Sequence, residues 1–184
     1  MRITTLPEKR YPLFIRMIFR AQKRKYGNVL EPTKVWGLSP KLLFGLQIFY
    51  RMIDRKRSPI EPALRSLVSV RVSQINHCSF CVDINSALLL ERGVSMEKIL
   101  ALPEFDKAQV FSEREKASLA YAEAITRNDK GVSQETFAAL RSHFSEEEIV
   151  ELTAVIAYQN LSSKFNAALE IPSQGFCIKE SDKK

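Results

Sequence analysis

The spacing of apolar residues predicts helices along most of the chain. From residue 60 to residue 75, apolar side chains recur every three or four positions, which is the period of one helical face. They are Ile60, Ala63, Leu64, Leu67, Val68, Val72 and Ile75. The segment 68–72 also alternates between apolar and polar residues, as a strand would. The longer helical period and the helix-start signal before it favour a helix.

Helix-start signals recur along the chain and support this pattern. Ser39-Pro40 places a capping serine before a proline that suits the first helical turn. Three more serines are followed three residues later by glutamate, which is the spacing of a capping box. They are Ser58 with Glu61, Ser112 with Glu115, and Ser145 with Glu148. A further helix is predicted from about Cys78 to Arg92, ended by Gly93.

These elements predict an all-α protein, a compact bundle of about seven or eight helices. A chain of 184 residues is about the size of one domain, so we expect a single domain over residues 1–184. Residues 1–57 form basic N-terminal helices, and residues 58–111 form the helices around a cysteine pair. Residues 112–171 form the C-terminal helices, and residues 172–184 form an irregular tail.

The charge is unevenly distributed, which raises the question of a charged partner. Residues 1–65 contain 15 Lys or Arg against 4 Asp or Glu, whereas residues 66–184 contain 13 against 17. The basic face of the first predicted helix consists of Arg16, Arg20, Lys23 and Arg24. Its apolar side, which we expect to pack on the body or on another subunit, consists of Leu13, Met17, Ile18 and Ala21. A membrane surface is one alternative, and nucleic acid is another that no recognisable binding motif supports.

The compartment follows from the apolar runs and the cysteines. The longest nearly unbroken apolar stretch, residues 42–50, is half the length that a membrane span needs. Residues 1–20 show neither the apolar block nor the cleavage site of a secretory signal. Three cysteines, an odd number, do not form a structural disulfide framework. We therefore expect a cytoplasmic protein without a membrane span.

The candidate chemistry lies in the motif Cys78-Ser-Phe-Cys81. On a helix these cysteines lie about one turn apart on one face, close enough to form and reopen a disulfide. The first turn of a helix also favours a thiolate. Lowering a thiol pKa from about 8.5 to about 7 requires about 2 kcal/mol, and a helix end supplies about 0.3–1 kcal/mol. Another donor or cation is therefore needed, and His77 is the nearest in sequence.

Two other interpretations of the cysteine pair remain open: half of a metal site, or two inert buried thiols. The remaining soft or imidazole ligands are Cys177, His77 and His143, without a second pair at the spacing of zinc ligands. A redox dithiol is the preferred interpretation, with no cofactor and no metal. Cys177 is expected to be a free thiol in the tail, and His143 a surface residue. The amides of Asn160 and Asn166 are expected to satisfy neighbouring backbone groups, with a role in a site as the alternative.

Around this motif, residues 65–85, RSLVSVRVSQINHCSFCVDIN, resemble the core signature of the carboxymuconolactone decarboxylase-like superfamily in its alkylhydroperoxidase (AhpD-like) branch. The likeness extends from roughly Lys25 to Cys177 and includes the stretch from Glu151 to Asn166. It implies an AhpD-like helical bundle, assembly into homotrimers or hexamers, and reduction of peroxides through a C-x-x-C disulfide cycle. The decarboxylase branch lacks this cysteine pair, so we do not expect its reaction.

The resemblance also implies roles for individual residues. Cys81 corresponds to the peroxidatic nucleophile, and Cys78 to the resolving thiol that meets the reductant. The family pattern has a Glu twelve residues before the first cysteine and a His four residues after the second, where this chain has Ser66 and Asn85. An amide cannot take up and release a proton near neutral pH. Positioned acid–base catalysis contributes about 10²–10⁴ in rate. His77 is a candidate replacement base, unless it is a solvent-facing loop residue.

The function that the resemblance implies is a thiol-dependent antioxidant enzyme, a peroxidase or disulfide reductase. Its substrate is a peroxide, and its reductant is a dithiol such as a lipoyl group or a thioredoxin-like protein. The alternative is a non-catalytic or redox-sensing AhpD-like oligomer that acts as a binding module. The replacement of both proton-relay residues favours this alternative.

Overall fold

The computed structural model of the chain describes residues 1–127, 129 and 131–181, with side chains as far as Ile178. Ten α-helices and two 3₁₀ turns occur in these residues, without a strand, so the all-α prediction is confirmed. The helices are α1 (Leu13–Tyr26), α2 (Glu31–Trp36), α3 (Pro40–Ile53), α4 (Pro62–Ile75), α5 (Ser79–Glu91), α6 (Met96–Ala101), α7 (Glu113–Arg127), α8 (Gln134–Arg141), α9 (Glu146–Ala168) and α10 (Phe176–Ser181).

Seven of the helices in the described residues have eight residues or more, in line with the predicted seven or eight. The other three, α2, α6 and α10, have six residues each. A segment of six residues is too short to show a helical period in sequence. Helix α10 lies in the tail, so the prediction of an irregular tail is wrong for residues 176–181. Residues 182–184 of that tail lie outside the described part.

Helix α4 is the centre of the fold. It packs against α5, α7 and α9, and every residue from Leu64 to Ser73 is buried. Because neighbours cover α4 on several sides, the alternation at residues 68–72 does not correspond to an exposed strand face, and the helix prediction is confirmed. The predicted start of this helix is wrong. Pro62 forces Glu61 into an extended conformation, so α4 begins at Pro62, while the Ser58 hydroxyl accepts the N–H of Ile60 instead.

Two of the three predicted capping boxes form. The Ser145 hydroxyl accepts the N–H of Glu148, and the Glu148 carboxylate accepts the N–H of Ser145 at 2.7 Å. Ser112 and Glu115 exchange the same two bonds, at 2.8 and 3.3 Å, at the start of α7. These reciprocal bonds satisfy backbone donors that the first helical turn leaves free.

The buried apolar residues form a main core and two smaller clusters. The main core lies around α4, α7 and α9. One smaller cluster joins the N-terminal helices, and its members are Tyr11, Ile15, Phe19, Val29 and Leu43. The other, here called the cysteine cluster, consists of Val35, Cys78, Phe80, Cys81, Ala87, Ile171 and Phe176. The cysteine pair therefore lies where α2, α5 and the C-terminal segment meet.

The outer faces of α1 and α3 expose apolar side chains. Helix α1 buries Ile15 and Phe19, but Leu13 is 65% exposed and Met17 is 54% exposed. Ile18 packs on this chain, whereas Leu13 and Met17 stay exposed on it, so the expected packing of these two residues on another subunit stays a prediction. On α3, the large apolar residues that are more than half exposed are Leu42, Phe44 and Met52. Exposed apolar residues grouped in this way are typical of an interaction surface.

Candidate active site

The cysteine pair lies at the start of α5. Cys78 is the N-cap residue, and its Sγ accepts the N–H of Cys81 at 3.2 Å. A disulfide joins the two cysteines, whose Cα atoms are 5.3 Å apart. A tight turn brings α5 back onto the end of α4, with His77 at a positive φ of 52° and the N–H of Cys78 donating to the Ser73 carbonyl. The geometry is that expected from the C-x-x-C spacing.

Both sulfur-bearing residues are buried. Cys78 is 1% exposed and Cys81 is 2% exposed. Around them lie apolar side chains of the cysteine cluster, including Ile171 and Phe176 from the C-terminal segment. Apolar surroundings disfavour a thiolate, so the hydrogen-bond donors that reach each sulfur decide its reactivity.

Asn166 on α9 provides such a donor. Its Nδ2 donates to the Sγ of Cys81 at 3.2 Å, and the residue is 1% exposed. Its Oδ1 is buried without a hydrogen-bond partner among the described residues. The expectation that this amide serves a neighbouring backbone group is therefore wrong. Asn160 does meet that expectation in part, because its Nδ2 donates to the carbonyl of Ile156 as well as to the hydroxyl of Thr126.

Further polar contacts hold the end of α4 against α9. The side chain of Asn76 donates to Asn160 Oδ1 at 2.9 Å and to the hydroxyl of Ser163 at 2.8 Å. Gln159 Nε2 donates to the hydroxyl of Ser73 at 2.9 Å. Since α5 follows α4 after a short turn, these bonds set the distance between the cysteine pair and α9.

A cavity of about 620 Å³ opens beside Cys81. Its wall comes mainly from α1, α3, α5 and α9, and most of its lining is aromatic or aliphatic. Representative apolar residues are Phe14, Met17, Trp36, Phe44, Phe80 and Ile84. The polar side chains of Asn85, Tyr158, Gln159 and Asn166 also border it. A cavity of this size and composition suits a small organic molecule with a large apolar part.

The two substituted relay positions lie together. Ser66 and Asn85 border a second cavity of about 40 Å³, and Asn85 also borders the large one. Ser66 is 3% exposed and its hydroxyl accepts from Arg92 Nη1 at 2.6 Å. Arg92 in turn forms an ion pair with Asp54 at 3.0 Å. The Ser66 hydroxyl is therefore bonded to a guanidinium, at a position where the family pattern has a carboxylate.

Neither histidine borders the two cavities. His77 is exposed on the turn between α4 and α5 and lines neither cavity. His143 is exposed as well. Over residues 1–127, 129 and 131–181, the structure shows no group of three or more His, Cys, Asp or Glu side chains arranged for a metal ion.

Tyr158 is a site residue that nothing in the sequence marks. It borders both cavities, and its ring centroid lies 5.7 Å from that of Tyr50. Burial raises the pKa of Tyr158 to about 12. The phenol therefore stays protonated over the physiological range and is available as a donor beside the cavity.

Asp83 ties the C-terminal segment to α5. Its Oδ2 accepts the Ser173 hydroxyl at 2.8 Å and the Gln174 N–H at 2.9 Å, and its Oδ1 accepts the Cys177 N–H at 2.8 Å. Burial by itself raises the pKa of this carboxyl group, but these bonds and one from the Phe176 N–H bring the pKa below its usual value. Cys177 is a half-buried free thiol, whose pKa is raised by burial and by the charge of Asp83.

Known proteins share both the sequence pattern and the fold. The sequence profile of the carboxymuconolactone decarboxylase family matches residues 45–124. The uncharacterized protein YnjA of Escherichia coli (strain K12) is 40% identical over 171 residues, which are 93% of this chain and 94% of YnjA. The AhpD-core structure of an uncharacterized peroxidase-related protein from Ralstonia eutropha JMP134 has a TM-score of 0.85 at 21% identity, covering 96% of this chain and 94% of its own. The apo structure of debrominase Bmp8 has a TM-score of 0.83 at 24% identity, and the match covers 98% of this chain and 96% of the Bmp8 chain.

The fold and site define an all-α protein with a buried C-x-x-C disulfide at a helix start, beside an apolar cavity. The chain belongs to the carboxymuconolactone decarboxylase family and has the AhpD-like fold. None of the described helices is long and apolar enough to cross a membrane. The single-domain division and the roles carried over to the site residues stay predictions.

Proposed function

We propose that the protein is a thiol-dependent peroxidase that reduces organic hydroperoxides through a disulfide cycle of Cys78 and Cys81. The observation that carries this proposal is the position of Cys81. It is joined to Cys78, accepts a hydrogen bond from Asn166, and borders the apolar cavity. A nucleophile, a resolving thiol and a substrate-sized space thus adjoin one another.

The cycle balances with a dithiol as the reductant. The Cys81 thiolate attacks the terminal oxygen of R–O–O–H, the O–O bond breaks, and Cys81 becomes a sulfenic acid while RO⁻ leaves and takes up a proton. The Cys78 thiol then attacks the Cys81 sulfur, forming the disulfide and releasing water. A dithiol, such as a lipoyl group or a thioredoxin-like protein, reduces the disulfide by exchange and is itself oxidised. Two electrons pass from the dithiol to the peroxide.

Tyr158 is the proposed proton donor for the leaving oxygen. A phenol with a pKa of about 12 is a stronger acid than an alcohol, so proton transfer to an alkoxide is downhill. The phenol then regains its proton from solvent. This role compensates for the histidine that Asn85 replaces. Tyr50 offers a matched comparison, because it borders the same cavities but its hydroxyl also contacts Asp54 at 3.4 Å.

The cavity also favours one class of peroxide over another. An aromatic and aliphatic wall stabilises the apolar group of a hydroperoxide by about 25 cal/mol per Å² of buried surface. Hydrogen peroxide has no such group. We therefore expect cumene hydroperoxide to be preferred over hydrogen peroxide.

The test measures thiols and turnover separately. The fully reduced protein is mixed with one equivalent of cumene hydroperoxide and its free thiols are counted; we expect a loss of two per chain. Steady-state turnover is then followed with dihydrolipoamide as reductant. Replacing Cys81 with serine should abolish both signals, and Tyr158→Phe should slow turnover more than Tyr50→Phe. Retention of all three thiols after peroxide would contradict the proposal. So would debromination of 2,3,4-tribromopyrrole, the compound bound in a structure of a Bmp8 variant, without any peroxide reduction.

A redox-sensing oligomer is the second candidate function. It is favoured by the substitution of both relay positions and by the hydrogen bond that Arg92 donates to the Ser66 hydroxyl. A sensor would lose two thiols to peroxide but would not turn over with a dithiol. In either case the dithiol state implies a reducing compartment, and we propose the cytoplasm. A homotrimer or hexamer would cover the exposed apolar faces of α1 and α3.

A further inference from the structure

The two cysteines receive different hydrogen-bond donors. The N–H of Cys81, in the first turn of α5, points to the sulfur of Cys78. A helix N-terminus favours the thiolate form of the sulfur it faces. This contact alone would make Cys78 the reactive thiolate. The proposed function, however, needs the thiolate on Cys81.

The amide of Asn166 acts in the opposite direction, because it donates to the other sulfur. Its Nδ2 donates to the sulfur of Cys81 at 3.2 Å in a site where the residue is 1% exposed. Hydrogen bonds to a charged acceptor in such surroundings are stronger than those to a neutral one. We propose that Asn166 is a catalytic residue that selects Cys81 as the nucleophile by stabilising its thiolate. This inference rests on the proposed function for its biological meaning, but not for its test.

The unpartnered oxygen of the same amide supports the proposal. Buried side-chain oxygens nearly always have a hydrogen-bond partner, and Asn166 Oδ1 has none among the described residues. In the disulfide neither sulfur carries a hydrogen. The hydrogen bond to the Cys81 sulfur is thus made although the oxygen of the same amide is unpaired among the described residues. Because a charged acceptor strengthens such a bond, the amide favours the reduced state with the thiolate on Cys81.

A purely structural amide would look different. Asn160, six residues earlier on α9, has both its oxygen and its nitrogen bonded, to Asn76, Thr126 and the Ile156 carbonyl. It contacts neither sulfur. Asn160 therefore provides the matched control: Asn160→Asp is the same substitution on the same helix, at a side chain that contacts neither sulfur, and it keeps an oxygen that accepts from Asn76.

The experiment maps which cysteine reacts first. The reduced full-length protein is treated with a limiting amount of iodoacetamide over a pH series, and mass spectrometry measures the alkylated fraction at each cysteine. In the wild type we expect alkylation of Cys81 first. Asn166→Asp, which is nearly isosteric but places a carboxylate oxygen where the donor was, should lower the rate at Cys81 near pH 7 by about tenfold or more, corresponding to one pKa unit. The preference should then pass to Cys78. Asn160→Asp should leave the preference at Cys81.

Several outcomes would overturn the proposal. One is a wild type that reacts first at Cys78, a result that needs no variant. Another is an Asn166→Asp protein that still prefers Cys81; should that variant not fold, Asn166→Ala is measured in its place. A third is an equal shift in the Asn160→Asp control. Because no peroxide is used, these outcomes are distinguishable from failure of the proposed peroxidase activity, which the turnover assay reports.

Discussion

Replacing Asp83 by asparagine should weaken the attachment of the C-terminal segment to α5. The carboxylate accepts hydrogen bonds from Ser173, Gln174 and Cys177 of that segment, and one from the Phe176 N–H. An amide keeps one oxygen, which can still accept the Cys177 N–H. The other oxygen becomes an NH₂ group facing the Gln174 N–H and the Ser173 hydroxyl. The hydroxyl can rotate and accept, but the N–H of Gln174 loses its acceptor.

The size of the effect follows from these bonds. Hydrogen bonds to charged groups contribute about 1.5–3 kcal/mol each, and a buried donor without a partner costs about 1–3 kcal/mol. One lost bond and one weakened bond together predict a loss of about 2–4 kcal/mol in the free energy of unfolding. Release of the segment would expose the side chains of Ile171 and Phe176, which are now 3% and 6% exposed, so their burial opposes release. Burial of such side chains contributes about 1.5–3 kcal/mol each.

The pH dependence gives a second, independent signature. The pKa of Asp83 is lowered in the folded protein. Its contribution to stability is therefore fully present above the unfolded pKa of about 3.9 and is lost as the pH falls through the lower, folded pKa. The wild type and Asp83→Asn should differ most at pH 5–7. Their difference should shrink below about pH 4.

Urea denaturation at pH 7 and at pH 3 measures both effects, with Asp106→Asn as the control because Asp106 is an exposed carboxylate. The rate at which dithiothreitol reduces the disulfide should rise in Asp83→Asn, since Ile171 and Phe176 pack in the cysteine cluster. Equal stability of the wild type and Asp83→Asn at pH 7 would refute this reasoning. So would a difference that persists undiminished at the lowest pH at which both proteins remain folded.

Three further predictions concern the assembly and the site. Light scattering should give a trimer or hexamer of the 21.0 kDa chain, and Phe44→Glu should weaken the assembly, whereas a wild-type monomer at micromolar concentration would contradict it. Peptide mapping after peroxide should link the two C-x-x-C thiols, and a dominant link to Cys177 would count against the cycle. Ser66→Glu combined with Asn85→His should raise peroxide turnover by more than the single changes combined, up to about 10²–10⁴. An ion pair between the new carboxylate at position 66 and Arg92 would limit this gain. A wild-type turnover rate equal to that of the double variant would show that proton transfer does not limit the reaction.

Local patterns in the sequence were sufficient to predict most of the helices. The period of apolar residues and the capping boxes at Ser112 and Ser145 depend on neighbours within one or two turns, so they can be recognised without the fold. The C-x-x-C spacing is local in the same way. The start of α4 was mispredicted because two local signals compete there: Ser58 offers a cap, but Pro62 keeps the preceding residue extended.

The contacts that give the site its chemistry were decided by tertiary packing. Asn166 lies 85 residues from Cys81, and Arg92 lies 26 residues from Ser66. The partner of each side chain depends on how α5 and α9 pack around α4, and a short sequence window contains no signal of that packing. The same holds for Asp83, whose bonds to the tail form only because the C-terminal segment folds back onto α5. Residue types alone specify which hydrogen bonds are available, whereas the packing of distant helices decides which of them form.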